Sequence, residues 1–163
     1  MVYVITNLLV MVALIGVDQW IKAWAVSTLA PVQAMPLIPH VVELRFYLND
    51  GMAFSMLSGK QTFLIIATSI ALLVGVYVLF TRCKNLPLLR WALVLIVSGG
   101  VGNLIDRVLN GCVVDYINPL FMHFAVFNFA DICVCVGAAL MVLFVLLHDD
   151  EEKPAEKTGK DAE

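Results

Sequence analysis

Apolar positions along this chain fall into long unbroken blocks, not into the period-2 or period-3.6 stripes of a half-buried surface. A helix needs roughly 20 apolar residues to cross a hydrocarbon core of about 30 Å. Four blocks reach that length: Val2 to about Ile21, Thr62 to Phe80, Leu86 to about Ile105, and Phe127 to Leu147. Each predicts a transmembrane helix. The first has no basic residue ahead of it and no small-x-small cleavage site behind it, so it reads as an uncleaved span and not as a signal peptide.

One stretch breaks this pattern. In VVELRFYLND, Val42, Leu44, Phe46 and Leu48 alternate with Glu43, Arg45, Tyr47 and Asn49, which predicts a strand with one apolar face. The preceding AWAVSTLAPVQAMPLIPH is apolar but interrupted by Pro31, Pro36 and Pro39, which predicts an interfacial segment and not a further span. The expected fold is an all-α polytopic membrane protein of four helices, with a small β-sheet and interfacial segment on its outer side.

Charge orients the spans. The connection TRCKNLPLLR carries Arg82, Lys84 and Arg90 and no acid, so by the positive-inside rule it faces the cytoplasm, together with both termini. Residues 22–61 and 106–126 then lie outside, with Trp20 and Trp24 at the outer headgroup level. Composition agrees with a membrane protein: the 163 residues are 61% hydrophobic and 14% charged, with a mean hydropathy of +0.93. The net charge of −3 owes much to the tail after His148, which is expected to be disordered. Residues 1–148 are expected to form one domain, and 149–163 a charged cytoplasmic tail. No basic patch suggests nucleic acid. Cys83, Cys112, Cys133 and Cys135 lack metal-site spacing and read as small apolar fillers.

Ionisable groups at the edge of a span are costly, and here they gather at one level. Asp18 and Lys22 share a helix face at i,i+4 and read as an ion pair; Asn103, Asp106 and Arg107 share another. Asn49 and Asp50 precede Gly51 at the end of the strand, Asp115 lies in the second outer connection, and Asn128 and Asp131 open the fourth span. Asn128 suits an N-cap and Asp131 a helix first turn, while Gly99, Gly100 and Gly102 suit close helix packing. His123 reads as interfacial. Two carboxylates at one depth, Asp115 and Asp131, are expected to share a proton, so that one activates water and the other polarises a carbonyl. That is amide hydrolysis without a metal, a cofactor or a nucleophilic side chain. The alternative is a small proton- or cation-coupled transporter using the same acids, although its polar groups would be expected near the midplane.

DQWIKA (Asp18–Ala23), NDGMAFS (Asn49–Ser55), GGVGNLIDRVLNGCVVDY (Gly99–Tyr116) and FNFAD (Phe127–Asp131) resemble, in order and spacing, the motifs of bacterial lipoprotein signal peptidase, signal peptidase II. The family often has a proline before FNFAD, where this chain has Ala125-Val126. The resemblance implies an aspartic endopeptidase of the bacterial inner membrane. It would remove signal peptides from diacylglyceryl-modified prolipoproteins, cutting on the amino side of the lipidated cysteine. It implies Asp115 and Asp131 as the catalytic pair, with Asn49, Gly51, Asn103, Arg107, Asn128, Ala130, Asp18 and Lys22 as supporting or substrate-binding positions. The partners to expect are prolipoprotein signal peptides, membrane lipid and inhibitors of the globomycin type, with the enzyme acting as a monomer. Residues 25–55 are expected to form a cradle for the lipid-modified cysteine.

Overall fold

The computed structural model describes residues 2–51 and 56–149. Within them stand four helices, α1 (Val2–Leu29), α2 (Gln61–Thr81), α3 (Pro87–Asn110) and α4 (Phe129–Asp149). Three strands join them: β1 (Ala34–Ile38) and β2 (Val42–Asn49) between α1 and α2, and β3 (Val113–Pro119) between α3 and α4. Each helix is long and apolar enough to cross a membrane, and large side chains such as Leu9, Leu73 and Leu146 stand exposed on them. In lipid such side chains meet a solvent as apolar as themselves. The protein is a multi-pass membrane protein with a sheet at one end of its helices and the α2–α3 connection at the other.

The first helix does not stop near Ile21 but runs on to Leu29. At about 1.5 Å per residue its 28 residues extend about 42 Å, well beyond a hydrocarbon core of about 30 Å. Packing holds the extension: Ala25 and Leu29, one turn apart, are fully buried against Val114 and Tyr116 of β3, with Leu44 and Phe46 of β2 beside them. The expected interfacial segment is therefore divided. Its first part completes α1, and its later part is β1, an edge strand that tolerates Pro36 because one side of its backbone needs no partner. The third span likewise continues to Asn110, where Gly111 ends it in the left-handed region at φ 70.

The strands pair antiparallel in the order β1-β2-β3. Leu44 faces Ile117 and Tyr47 faces Asp115, so Arg45 and Phe46 together oppose Tyr116 in a bulge. The extra residue breaks the expected apolar face: Leu48 is 51% exposed, whereas Asn49 is 8% exposed. Strand β3 was not foreseen, because Val113, Val114, Asp115 and Tyr116 are all buried and show no alternation.

Glycines bring the helices together. A Cβ on Gly99 would lie against the Ala130 carbonyl and 2.9 Å from Val134 Cγ2 of α4. On Gly100 it would lie 2.6 Å from Leu72 of α2, and on Gly102 2.5 Å from the Asp18 carboxylate of α1. The three glycines thus open α3 to three neighbours, as close packing requires. Helix α4 ends at Asp149; the remainder of the expected tail, 150–163, lies outside the described residues.

Candidate active site

The site begins with the return of the chain after β3. Phe127 pairs with Ile117 through Ile117 N–H to Phe127 O at 2.8 Å and Phe127 N–H to Ile117 O at 3.0 Å. The next residue, Asn128, is thereby set beside Asp115 at the start of α4. The Asn128 side-chain oxygen accepts the Asp131 N–H at 3.0 Å, and Asp131 Oδ2 accepts the Asn128 N–H at 3.1 Å. This is a reciprocal capping box, so the expected N-cap is present. The other first-turn donors are met from elsewhere: Phe129 N–H by Tyr116 Oη and Ala130 N–H by Asp18 Oδ1, both at 3.1 Å. Side chains of α1, β3 and α4 together satisfy a helix end that would otherwise leave these groups unpaired.

Two asparagines join the two aspartates. Asn128 Nδ2 donates to Asp115 Oδ1 at 2.6 Å and to Asn103 Oδ1 at 3.1 Å, and Asn103 Nδ2 donates to Asp131 Oδ1 at 2.8 Å. The second oxygen of Asp115 accepts Asn49 Nδ2 at 2.9 Å. Asn49 is itself oriented by the Gly51 N–H on its oxygen at 2.9 Å, and Arg107 Nη2 holds the Gly51 carbonyl at 2.9 Å. Asp115 is 1% exposed. Burial pushes its carboxyl up to about 7, and the charge of Asp131 adds to this against the Asn49 and Asn128 hydrogen bonds and the Lys22 charge. Such a group exchanges its proton near neutral pH. Burial also raises the Tyr116 phenol above its ordinary value, which suits its part as a neutral cap.

Behind this pair lies a buried ion cluster. Lys22 Nζ stands 2.9 Å from Asp18 Oδ2, 3.0 Å from Asp106 Oδ2 and 2.8 Å from Asn103 Oδ1. Gln19 Nε2 bridges Asp18 Oδ2 at 3.1 Å and Asp106 Oδ1 at 3.2 Å, and Asp106 Oδ2 also takes the Val114 N–H at 3.2 Å. The Asp18–Lys22 pair was expected. Asp106 and Gln19 join the site beyond the residues expected for it. Their signal was present: Asp106 stands one turn after Asn103, and Gln19 lies inside DQWIKA.

A cavity of about 400 Å³ opens beside the pair, with Asn49, Asn103, Arg107, Asp115 and Asp131 on its polar wall and apolar groups such as Phe124 and Ile132 on the other. Of residues 25–51, Asn49 lines this cavity, and Met52–Ser55 lie outside the described residues. Cys135, one turn below Asp131, is on the wall and departs from the filler reading; Cys133 is buried, as expected. His123 is exposed on the loop before α4. Among the described residues, no three His, Cys, Asp or Glu side chains gather as a metal site would require. The expected site residues thus form one connected network, in which Ala130 takes part through its backbone N–H.

A family model described as signal peptidase (SPase) II matches residues 10–147. The chain belongs to the signal peptidase II family. It is 43% identical over 136 residues to the lipoprotein signal peptidase of Streptococcus thermophilus, covering 82% of this chain and 87% of that one. To the lipoprotein signal peptidase of Clostridioides difficile it is 38% identical, covering 90% and 98% of the two chains. A bacterial membrane enzyme solved by the in meso method at 2.3 Å resolution superposes with a TM-score of 0.83 at 33% identity, covering 93% of each chain. A second such enzyme, at 1.9 Å, gives 0.79 at 34% identity over 86% of this chain and 92% of that one. The motif resemblance therefore holds over nearly the whole membrane part, and this family member is a peptidase.

Proposed function

We propose that this chain is an aspartic endopeptidase that removes signal peptides from diacylglyceryl-modified prolipoproteins, hydrolysing the peptide bond on the amino side of the lipidated cysteine. The observation that carries the reading is the pair Asp115 and Asp131, joined through Asn103 and Asn128 on the polar wall of a cavity whose other wall is apolar. The names of the Streptococcus thermophilus and Clostridioides difficile relatives support the substrate class. One carboxylate takes a proton from water as the water oxygen attacks the scissile carbonyl carbon. The other carboxyl gives its proton to the carbonyl oxygen, and collapse of the tetrahedral adduct passes a proton to the departing amine. The two carboxyls exchange roles over the cycle, so neither a metal nor a cofactor is called for.

In this reading Asn49, Asn103 and Asn128 orient the carboxyls, and Arg107 with Gly51 fixes the approach from β2. Asp18, Lys22 and the Ala130 N–H hold α1 against the start of α4. The sheet end faces outward from the bacterial inner membrane, with both termini cytoplasmic, because Arg82, Lys84 and Arg90 mark the opposite end. Residues 1–148 act as one protease domain and as a monomer. The lipid-bearing cysteine enters from the bilayer and globomycin-type inhibitors compete for the same cavity. To test this, the purified protein in liposomes is given one prolipoprotein with and without its diacylglyceryl group. Mass spectrometry should find cleavage of the lipidated form only, with the modified cysteine as the new amino terminus and with globomycin blocking it. Equal cleavage of the unmodified form, or a cut at another bond, overturns the reading.

A further inference from the structure

Lys22 is 3% exposed and does not line the cavity; neither do Asp18 and Asp106, the carboxylates that hold it. Its third partner is the oxygen of Asn103, at 2.8 Å. An amide side chain has one acceptor end and one donor end. With its oxygen turned to the ammonium, Asn103 presents Nδ2 to Asp131 Oδ1 at 2.8 Å, and can only donate there. Asp131 Oδ2 meets a second obligate donor, the Asn128 N–H. The carboxyl also stands in the first turn of α4, where the helix macrodipole favours negative charge. Asp115 also takes two amide donors, from Asn49 and Asn128, but it lies on a strand, without that dipole, and only its edge on the cavity escapes burial.

We propose that Lys22 is a positioning residue for Asp131, acting through Asn103, and that this makes Asp131 the member of the pair that takes the proton from water and Asp115 the member that gives one. The proposal rests on the dyad reading above and adds the division of labour within it. The upward push on the Asp115 carboxyl by burial points the same way. Other ionisable groups face this pair from every element packed on it: Asp18 and Lys22 from α1, Asp106 and Arg107 from α3, Tyr47 from β2, Tyr116 from β3, and Cys135 from α4 itself. Among them Lys22 is the cation tied to Asp131 by a direct hydrogen-bonded relay, since Arg107 donates to the carbonyls of Asn103 and Gly51.

Two measurements test this. Lys22→Gln should lower kcat for the lipidated prolipoprotein at least tenfold, leave KM within about twofold, and move the acid limb of the kcat/KM profile to higher pH. Lys22→Arg, which keeps the charge, should restore much of kcat and return the limb toward its original place. A loss confined to KM, or a lower kcat with an unmoved acid limb, overturns the proposal. The second measurement needs no Lys22 variant and stands if those variants fail to accumulate. Infrared difference spectra below pH 7 should lose a protonated-carboxyl band on Asp115→Asn and keep it on Asp131→Asn; the reverse pattern overturns the proposal. Full cleavage activity in either aspartate variant would instead overturn the dyad reading itself.

Discussion

Asn128 and Asp131 exchange hydrogen bonds in both directions across the first turn of α4, the Asp131 N–H to the Asn128 oxygen at 3.0 Å and the Asn128 N–H to Asp131 Oδ2 at 3.1 Å. The same exchange leaves Asn128 Nδ2 to reach Asp115. One residue thus caps a helix and ties its first acid to the second, so helix stability and site geometry have a common origin.

These two parts can be separated. Asn128→Ser keeps a capping oxygen and loses the amide donor to two buried acceptors, so stability to thermal unfolding in detergent should fall by about 1–3 kcal/mol while cleavage falls at least tenfold. Asn128→Ala loses both and should cost about 1 kcal/mol more than the serine variant. A serine variant with unchanged cleavage would remove Asn128 from the site.

In the proposed mechanism the Asp115 carboxyl sets the alkaline limit. Below about 7 this carboxyl holds a proton that it can give, and above that value the proton is lost, so kcat/KM should fall as pH rises through it. Stability should move the same way. The folded chain holds this proton up to about 7 whereas an unfolded aspartate releases it near 3.8, so the native state binds more protons in that window and loses stability as pH rises across it. Steady-state cleavage across a pH series, with unfolding followed in parallel, checks both. A rate that keeps rising well above 7 would contradict the buried, proton-holding Asp115.

Glycine positions in the membrane should divide by what lies opposite. Gly102→Ala sets a methyl 2.5 Å from the Asp18 carboxylate, which caps α4 and holds Lys22; it should destabilise by about 1–3 kcal/mol and lower activity per folded molecule. Gly16→Ala meets nothing within 4 Å and should be neutral, or gain up to about 1 kcal/mol in helix propensity. Unfolding midpoints of the two variants, each with a cleavage assay, give the comparison.

How much of this could be read from the chain depended on which signals were local. The four spans stand out because lipid-facing helices are apolar throughout, and β2 alternates. The end of α1 lies beyond the expected Ile21 because Ala25 and Leu29 are buried by strands distant in sequence, and no composition marks that contact. Strand β3 is covered on both faces and so has no period to detect. The polar residues were legible as a set because each is out of place at a span end. What could not be read is their connection: that Asp18 caps α4, that Arg107 reaches Gly51, and that Asp106 completes the cage around Lys22. Those contacts cross between helices, and only the packing of α1, α3 and α4 brings them about.

The account turns on Asp115 and Asp131 acting as a proton-sharing pair. Its most direct test is cleavage of a diacylglyceryl-modified prolipoprotein by Asp115→Asn and Asp131→Asn, each first shown to accumulate in the membrane at the level of the unaltered protein. Asparagine keeps the shape of each side chain and cannot exchange the proton, so both variants should lose about 10³-fold or more of the cleavage rate. A rate within tenfold of the unaltered protein in either variant would contradict the pair.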